Sequence, residues 1–358
     1  MRIGLIIYGS LSTVSGGYLY DRLLVEGLRR QGETVEVISL PWRFYLAHLT
    51  DNLHVRLPPH FDVLIQDELN HPSLIAANRL SRPHPYPVLS LVHHLRCSEP
   101  RPAWQNAFYR WLERSYLRSV DGFIFNSLTT QRVVHGEVGS RRPYLVAFPP
   151  TDRFGDPLPE SEIAARARRT PFRLIFVGNL IPRKGVHTLI QALASRPFAG
   201  RPYRLDVVGS LTADPSYSRA IQRQVERFGL SPFVHFHGTL EQEALRHLLG
   251  QGHVLVVPSA YEGFGIVYLE GMGFGLPAIG TTAGAAGEII EHEHTGYLIA
   301  PNDSATLAHY LATLDDDREV LLRLSLQARR RYLRQPRFHQ TVTEIQAFLQ
   351  RCVQTFPW

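Results

Sequence analysis

The chain has 358 residues, of which 44% are hydrophobic and 20% are charged, as expected for a soluble globular protein with two domains of ordinary size. No window approaches the roughly 18 apolar residues that a membrane span requires, and only Cys97 and Cys352 are present, which predicts neither a disulfide framework nor a cysteine metal site. The net charge of +6 without a nucleic-acid-binding motif favours phosphorylated substrates or an anionic membrane. We therefore expect a cytoplasmic protein that binds no nucleic acid.

Short apolar runs alternate with helix-compatible stretches along the whole chain. The runs predicted to be strands are 3–8, 35–39, 63–66, 88–92, 122–126, 173–177, 205–208, 254–257 and 277–280. Such alternation predicts an α/β protein with two parallel sheets covered by helices. The segment 149–170 is rich in proline and charge and has no buried strand, so it is interpreted as a linker. The predicted domains are therefore 1–160 and 170–335, followed by a C-terminal segment, 336–358.

The first predicted strand ends at Tyr8 and leads into a glycine turn. In that turn Ser15, Gly16 and Gly17 precede an amphipathic helix. Ligands of doubly wound sheets bind beyond the carboxyl ends of strands, so the turn is a candidate binding segment; a plain turn or helix cap is the alternative. Its glycines do not form G-x-G-x-x-G, which argues against a nicotinamide-dependent dehydrogenase.

Charged and titratable side chains follow two further predicted strands. His93 and His94 come directly after 88–92, where an imidazole serves either catalysis or strand capping. Arg183 and Lys184 lie beyond 173–177. Two cations at a strand's carboxyl end can neutralise a diphosphate leaving group, whereas a solvated loop pair is the alternative.

Glu262 and Glu270 are separated by seven residues in PSAYEGFGIVYLEGMGFGLP. Glu262 is predicted to lie in a strand-to-helix loop, and a helix that starts near Gly265 places Glu270 about one turn in. Gly263 and Gly265 let a ligand approach the backbone closely. Amide donors at a helix start suit a diphosphate, and carboxylates suit sugar hydroxyls. The pattern thus predicts a nucleotide-sugar site; a glycosidase would need its two carboxylates on opposite sides of the sugar.

Aromatic and basic residues recur at helical spacing in 104–118. Trp104, Phe108 and Trp111 mark one face, with Arg110 and Arg114 on a neighbouring face. Such a helix either packs on a sheet or contacts an anionic membrane from the cytoplasmic side.

The Glu262–Glu270 stretch resembles the E-x7-E signature of retaining GT-B glycosyltransferases of family 4, the group 1 type. Further similar blocks are 2–17, 91–94, 176–185, 204–209, 234–238 and 283–303. The resemblance implies two facing Rossmann-like domains, with a C-terminal helix that crosses back to the first. It also implies a metal-independent hexosyltransferase without a cofactor, which moves a hexose from a nucleoside diphosphate sugar to an unknown acceptor hydroxyl with retention.

The resemblance also implies roles for individual residues. Glu270 would bind the ribose hydroxyls, and Glu262 would bind the sugar hydroxyls. Gly263 would also contact the donor, and the backbone amides of Phe264 and Gly265 would bind the phosphates. His93 would meet the transferred sugar, because the family histidine follows the strand directly.

Gly16, Gly17, Arg183 and Lys184 would also contact the donor. Family members often have an arginine directly after the strand glycine, whereas this chain has Asn179, and Arg183 is the candidate substitute. There are two competing hypotheses. The protein is either an epimerase or phosphorylase with the same fold, or a non-catalytic nucleotide-sugar-binding protein.

Overall fold

The computed structural model describes residues 1–13, 15–150 and 152–356. The chain forms two compact units: residues 1–150 together with the C-terminal segment from Pro336, and residues 151–335. Within the described residues each unit contains one six-stranded sheet in which all paired strands are parallel. The α/β fold class with two Rossmann-like sheets is therefore confirmed.

The sheet of the first unit consists of β1 (Arg2–Tyr8), β2 (Thr34–Leu40), β3 (Val63–Asp67), β4 (Val88–Val92), β5 (Gly122–Phe125) and β6 (Tyr144–Val146). Its strand order is β2-β1-β3-β4-β5-β6. Strands β3 and β4 are buried along their whole length, which explains their continuous apolar sequence. The order reverses between β1 and β3, and ligands of such sheets bind where the order reverses, beyond the carboxyl ends of the strands.

Four helices connect these strands: α1 (Gly16–Arg30), α2 (His71–Leu80), α3 (Ala103–Leu117) and α4 (Leu128–Val138). Helix α1 begins after Ser15, whose hydroxyl accepts a hydrogen bond from the Tyr18 amide, and this capping fixes the helix start. Helix α4 is capped in the same way by Ser127.

The sheet of the second unit consists of β7 (Phe172–Val177), β8 (Tyr203–Val208), β9 (Val234–Gly238), β10 (Val254–Val256), β11 (Ala278–Thr281) and β12 (Gly296–Ile299). Its order is β12-β11-β10-β7-β8-β9, so the reversal lies between β7 and β10. Strands β6, β9 and β12 were not among the predicted runs. They are short edge or near-edge strands with partly exposed residues, so their apolar pattern is weak.

The helices of the second unit are α5 (Glu160–Ala167), α6 (Val186–Ala194), α7 (Pro215–Arg227), α8 (Gln242–Gln251), α9 (Ile266–Gly273), α10 (Ser304–Asp316) and α11 (Arg318–Leu333). Helix α5 lies inside the segment that the sequence analysis interpreted as a linker. It buries Ile163 and Arg166, and the Arg166 guanidinium donates to the carbonyl of Gly275 at 3.0 Å. The segment is therefore part of the second unit, because its few apolar side chains pack on that unit's core.

The last helix, α12 (Phe338–Thr355), belongs to the first unit. Its Val342, Ile345 and Leu349 join the core cluster that contains Leu24 and Leu28 of α1. A Cβ atom at Gly27 would lie 2.4 Å from Val342 Cγ2, so the two helices touch at this glycine. The chain thus returns to its first unit, as the GT-B resemblance implied.

None of the helices within the described ranges is both long and apolar enough to cross a membrane.

Candidate functional site

The loops after β7 and β10 meet at the point where the strand order of the second sheet reverses. Arg183 and Lys184 lie in a short 3-10 turn after β7, and Glu262 lies in the loop after β10. Lys184 Nζ donates to Glu262 Oε1 at 2.6 Å, and Arg183 Nη1 is 3.8 Å from Glu262 Oε2. The structure therefore brings together three of the predicted site residues.

Glu262 is almost fully buried, with 6% of its surface exposed. Burial by itself would raise the pKa of its carboxyl, but the charges of Lys184 and Arg183 and hydrogen bonds from Lys184 and Ser259 outweigh burial and lower it to about 2. Ser259 Oγ donates to Glu262 Oε1 at 2.5 Å. Glu262 is therefore a permanently ionised, rigidly held acceptor of hydrogen bonds.

Two glycines fix the backbone of this cluster. Gly185 ends the 3-10 turn with a φ of +71°, and a Cβ atom there would lie 2.0 Å from the carbonyl oxygen of Pro258. Gly284 has a φ of +78°, and its Cβ atom would lie 2.1 Å from the carbonyl oxygen of Glu262. Both positions require glycine, because other residues disfavour this φ and their side chains would clash. The close approach of these backbones holds the two basic residues against the carboxylate.

We predict that Gly185→Ala destabilises the protein more than Gly229→Ala. Gly229 has a similar φ of +69°, but nothing lies within 4 Å of its Cβ position. Both variants lose about 1–2 kcal/mol from the left-handed backbone, and Gly185→Ala should lose a further 1–3 kcal/mol or so from the clash with Pro258. Urea denaturation followed by circular dichroism measures the difference, and equal losses in the two variants would contradict the close approach.

Glu270 lies apart from this cluster, on α9, which begins directly after Gly265 as predicted. It is 4% exposed, and its Oε1 lies 2.8 Å from Arg153 Nε. Burial raises the pKa of the Glu270 carboxyl, and the charge of Arg153 offsets part of that rise. Phe154, Gly155 and Tyr332 line a small cavity with Glu270. The structure thus gives this carboxylate a cationic partner and an adjacent space.

The residues between the two carboxylates form the connecting turn. Gly263 is half-buried, and the ring of Phe264 is buried with 5% exposed. Gly265 has a φ of +93° and occupies the N-cap position of α9. The backbone thus enters the helix at the position that the sequence pattern predicted.

In the first unit His93 lies beyond β4, beside the reversal of that sheet. Its Nε2 is 3.0 Å from Asp21 Oδ1 on α1, and 14% of its side chain is exposed. A Cβ atom at Gly17 would lie 3.2 Å from His93 Cδ2, so the turn before α1 approaches the imidazole. The carbonyl of His93 accepts from Asn126 Nδ2 at 2.9 Å, which fixes the backbone.

Two further carboxylates face the imidazole. Burial alone would lower the pKa of His93, but the carboxylates of Asp21, Asp67 and Glu68 raise it to about 9. Burial next to Asp21 raises the pKa of Asp67 to about 8. Within the described residues Asp21 Oδ2 is buried and has no hydrogen-bond partner. His93 is therefore an imidazolium held by Asp21 near neutral pH.

Two groups of described side chains have the spacing of metal ligands: Asp21 with Asp67 and His93, and the buried Glu68 with His71 and Glu113, each within 4.8 Å. In the first group the imidazolium donates to Asp21, whereas a metal would require the neutral ring. The sequence predicts that the protein binds no metal, and a chelator can test this prediction.

The surroundings of His94 and Gly16 differ from those of His93. His94 Nε2 lies 2.9 Å from Glu99 Oε1, and its side chain is 30% exposed. Gly16 is the exposed first residue of α1. The structure thus places His93, and not His94, at hydrogen-bond distance from Asp21.

Sequence reasoning missed Asp21, Asp67, Arg153 and Ser259. Asp67 ends a buried strand and Asp21 interrupts the apolar stretch YLYDRLL one helical turn after Gly17, which are signals for buried carboxylates at a sheet edge. Arg153 has no such signal, because its partner Glu270 becomes a neighbour only on folding, whereas Ser259 lies three residues before Glu262 and could have been found as a local partner.

Each unit contains a parallel Rossmann-like sheet, and basic and carboxylate side chains lie beyond its strand ends, where ligands of such sheets bind. Residues 160–331 match the family described as glycosyl transferases group 1. The second unit therefore matches the group 1 glycosyltransferases, as the E-x7-E resemblance implied.

Individual relatives agree with this family match. Glycogen synthase of Mycobacterium tuberculosis is 34% identical over 169 residues, which cover 47% of this chain and 40% of the relative. Alpha-D-kanosaminyltransferase of Streptomyces kanamyceticus is 25% identical over 225 residues, 61% of this chain and 57% of the relative. The matched part of the chain thus spans about half the length of these relatives.

Solved structures share the fold over nearly the whole chain. Sucrose-phosphate synthase from Thermosynechococcus elongatus superposes with a TM-score of 0.77 at 20% identity, covering 98% of both chains. Anabaena HepE in complex with UDP superposes with a TM-score of 0.76 at 20% identity, covering 98% of this chain and 100% of that one. The fold is that of the GT-B glycosyltransferases.

Proposed function

We propose that the protein is a retaining hexosyltransferase that uses a nucleoside diphosphate sugar and an acceptor hydroxyl. The observation that carries this proposal is the cluster of Arg183 and Lys184 around the buried Glu262 in the group 1 unit. It combines two cations with one ionised carboxylate at the carboxyl ends of β7 and β10. A sugar diphosphate offers hydroxyl donors and phosphate oxygens that match both kinds of group.

The two basic residues suit the departure of the diphosphate. Negative charge grows on the diphosphate as the glycosidic bond breaks, and fixed cations in a water-poor site stabilise that charge. Lys184 is 17% exposed and Arg183 is 24% exposed, so both reach the surface although Glu262 holds them. Glu262, in turn, accepts hydrogen bonds from the hydroxyls of the transferred sugar.

Glu270 suits the ribose of the donor. Its carboxylate is 4% exposed, and a carboxylate can accept from two neighbouring hydroxyls. Arg153 Nε lies 2.8 Å from one of its oxygens. We infer that the ribose hydroxyls replace this contact. Nucleotides are also bound by Anabaena HepE, which was solved with UDP and with UDP-glucose.

His93 is proposed to act on the transferred sugar as a hydrogen-bond donor, held by Asp21. A retaining reaction of this type needs no protein nucleophile, because the donor phosphate can take the acceptor proton on the same face of the sugar. Charge stabilisation by Arg183 and Lys184 makes a metal unnecessary in this proposal.

We predict that one nucleoside diphosphate raises the melting temperature, with the same shift in excess EDTA. Binding to the folded state alone stabilises it by about 2.7 kcal/mol at 100 times the Kd. A thermal-shift screen of nucleoside diphosphates, with the monophosphates as controls, identifies the base, and the matching sugar nucleotides then serve as donors in transfer assays.

Three results would contradict the proposal. If no nucleoside diphosphate binds, the donor assignment is wrong. If EDTA abolishes binding or turnover and magnesium or manganese restores it, metal independence is wrong. If the sugar is released to water or phosphate, or its anomeric configuration inverts, the protein is not a retaining transferase to an acceptor hydroxyl.

A further inference from the structure

Three tryptophans among the described residues of the first unit are exposed. Trp42, Trp104 and Trp111 have 64%, 72% and 65% of their surface exposed. Exposed apolar neighbours in sequence are Phe44, Leu46 and Phe108. We call these six residues the aromatic patch. Large aromatic side chains in such numbers on a surface indicate an interaction site.

The two segments that carry the aromatic patch adjoin each other. The ring of Tyr45, in the 3-10 helix Tyr45–Leu53, lies 4.9 Å from the ring of Tyr109 on α3. The Arg96 guanidinium lies over both rings, 4.7 Å and 4.8 Å from their centres. This stack joins the chain around residues 42–46 to helix α3.

The helical part of the aromatic patch lies outside the core of the first unit, whereas Trp42 also packs edge-to-face on Tyr8, with 5.8 Å between the ring centres. Helix α3 turns its other face inward, where Leu112, Glu113, Tyr116 and Leu117 are buried. Leu112, directly after Trp111, therefore belongs to the core. Trp104, Phe108 and Trp111 are left on the outer face, separated by four and three residues, as one helical stripe requires.

The surroundings of the aromatic patch are basic. Residues 42–60 and 96–118 contain seven arginines and three carboxylates. All three carboxylates are occupied: Asp51 pairs with Arg43, Glu99 with Arg101, and the buried Glu113 accepts from the backbone amides of Arg96 and Cys97. Arg110 and Arg114 share Glu137 and are each nearly half exposed. The carboxylates of these two segments should therefore repel an anionic surface only weakly.

We propose that the aromatic patch docks the protein on the surface of an anionic phospholipid bilayer. Tryptophan and phenylalanine side chains enter the interface between headgroups and acyl chains, while flanking arginines pair with lipid phosphates. The contact is peripheral and does not depend on the donor chemistry of the second unit.

Vesicle sedimentation tests this proposal with the full chain. Wild type should partition onto vesicles of phosphatidylcholine with phosphatidylglycerol and should bind pure phosphatidylcholine poorly. Trp104→Ser/Trp111→Ser should lower the partition about tenfold or more, because two interfacial anchors are lost. Phe44→Ser/Leu46→Ser tests the second segment independently. Tryptophan emission should shift to the blue on vesicle binding.

The control is Phe228→Ala, an exposed aromatic residue of the second unit, which should partition like wild type. Melting temperatures show whether each variant is folded. Three outcomes overturn the proposal: equal binding of neutral and anionic vesicles, wild-type partition of both serine variants, or a dimer in analytical ultracentrifugation that Trp104→Ser/Trp111→Ser dissociates, which would assign the patch to a second copy of the chain.

Discussion

Glu270→Ala is expected to weaken nucleoside diphosphate binding by about 1–3 kcal/mol, the usual cost of leaving buried hydrogen-bond partners unpaired. The carboxylate is 4% exposed, so water does not readily replace it. Titration calorimetry with the nucleoside diphosphate measures the loss. A variant that binds within twofold of wild type would refute the ribose assignment.

Glu262→Ala should behave differently from Glu270→Ala. It removes the partner of the partly buried Lys184 at 2.6 Å, and the unpaired charge should cost about 3 kcal/mol of folding stability or less, since a fully buried one costs about 3–5 kcal/mol. We expect the main functional loss in turnover, since Glu262 is assigned to the transferred sugar. Glu262→Gln keeps the shape and a hydrogen-bond acceptor and separates the loss of charge from the loss of the side chain.

The control for both variants is Glu243→Ala, an exposed glutamate on α8 of the same unit. It should change neither nucleotide binding nor stability measurably. If Glu262→Ala weakens nucleoside diphosphate binding as strongly as Glu270→Ala while turnover of bound donor is normal, the division of roles between the two carboxylates is wrong.

His93→Ala should lower transfer by about 100-fold if its imidazolium donates to the reacting sugar, since a positioned proton donor contributes roughly that much or more. The matched control is His94→Ala. His94 is more exposed and pairs with Glu99 instead of Asp21, so its loss should have little effect. Undiminished transfer in His93→Ala, together with reduced transfer in His94→Ala, would move the role to His94.

Asp21→Asn tests whether Asp21 acts through His93. The pKa of His93 is raised to about 9, so the pair's contribution to stability is complete below the ordinary histidine pKa of about 6.5 and is lost as the pH rises through 9. Without the Asp21 charge the pKa should fall, and the alkaline limb of the rate profile should move to lower pH.

Nuclear magnetic resonance can follow the titration of His93 in Asp21→Asn directly. A merely structural role of Asp21 would lower the rate at every pH without moving the titration. An unchanged His93 titration in the folded Asp21→Asn protein would therefore contradict the pairing.

The sequence alone determined the fold class and the location of the loop that carries Glu262. Buried parallel strands have continuous apolar sequences, so the bounds of β3, β4 and β10 were predicted to within one or two residues. The E-x7-E spacing predicted that Glu262 lies in a loop and Glu270 in the helix behind it. These features depend on residues within about ten positions of one another, so a local sequence pattern is enough to predict them.

Tertiary structure decided which of these residues act together. Lys184 and Glu262 are 78 positions apart, and His93 and Asp21 are 72 apart, so no local pattern links them. The same reason explains why α5 was interpreted as a linker and why Arg153 was missed: a partly buried arginine is recognised as part of a site only when its partner is known. The strand order supplies the missing information, because it brings the carboxyl ends of β7 and β10 side by side in one sheet.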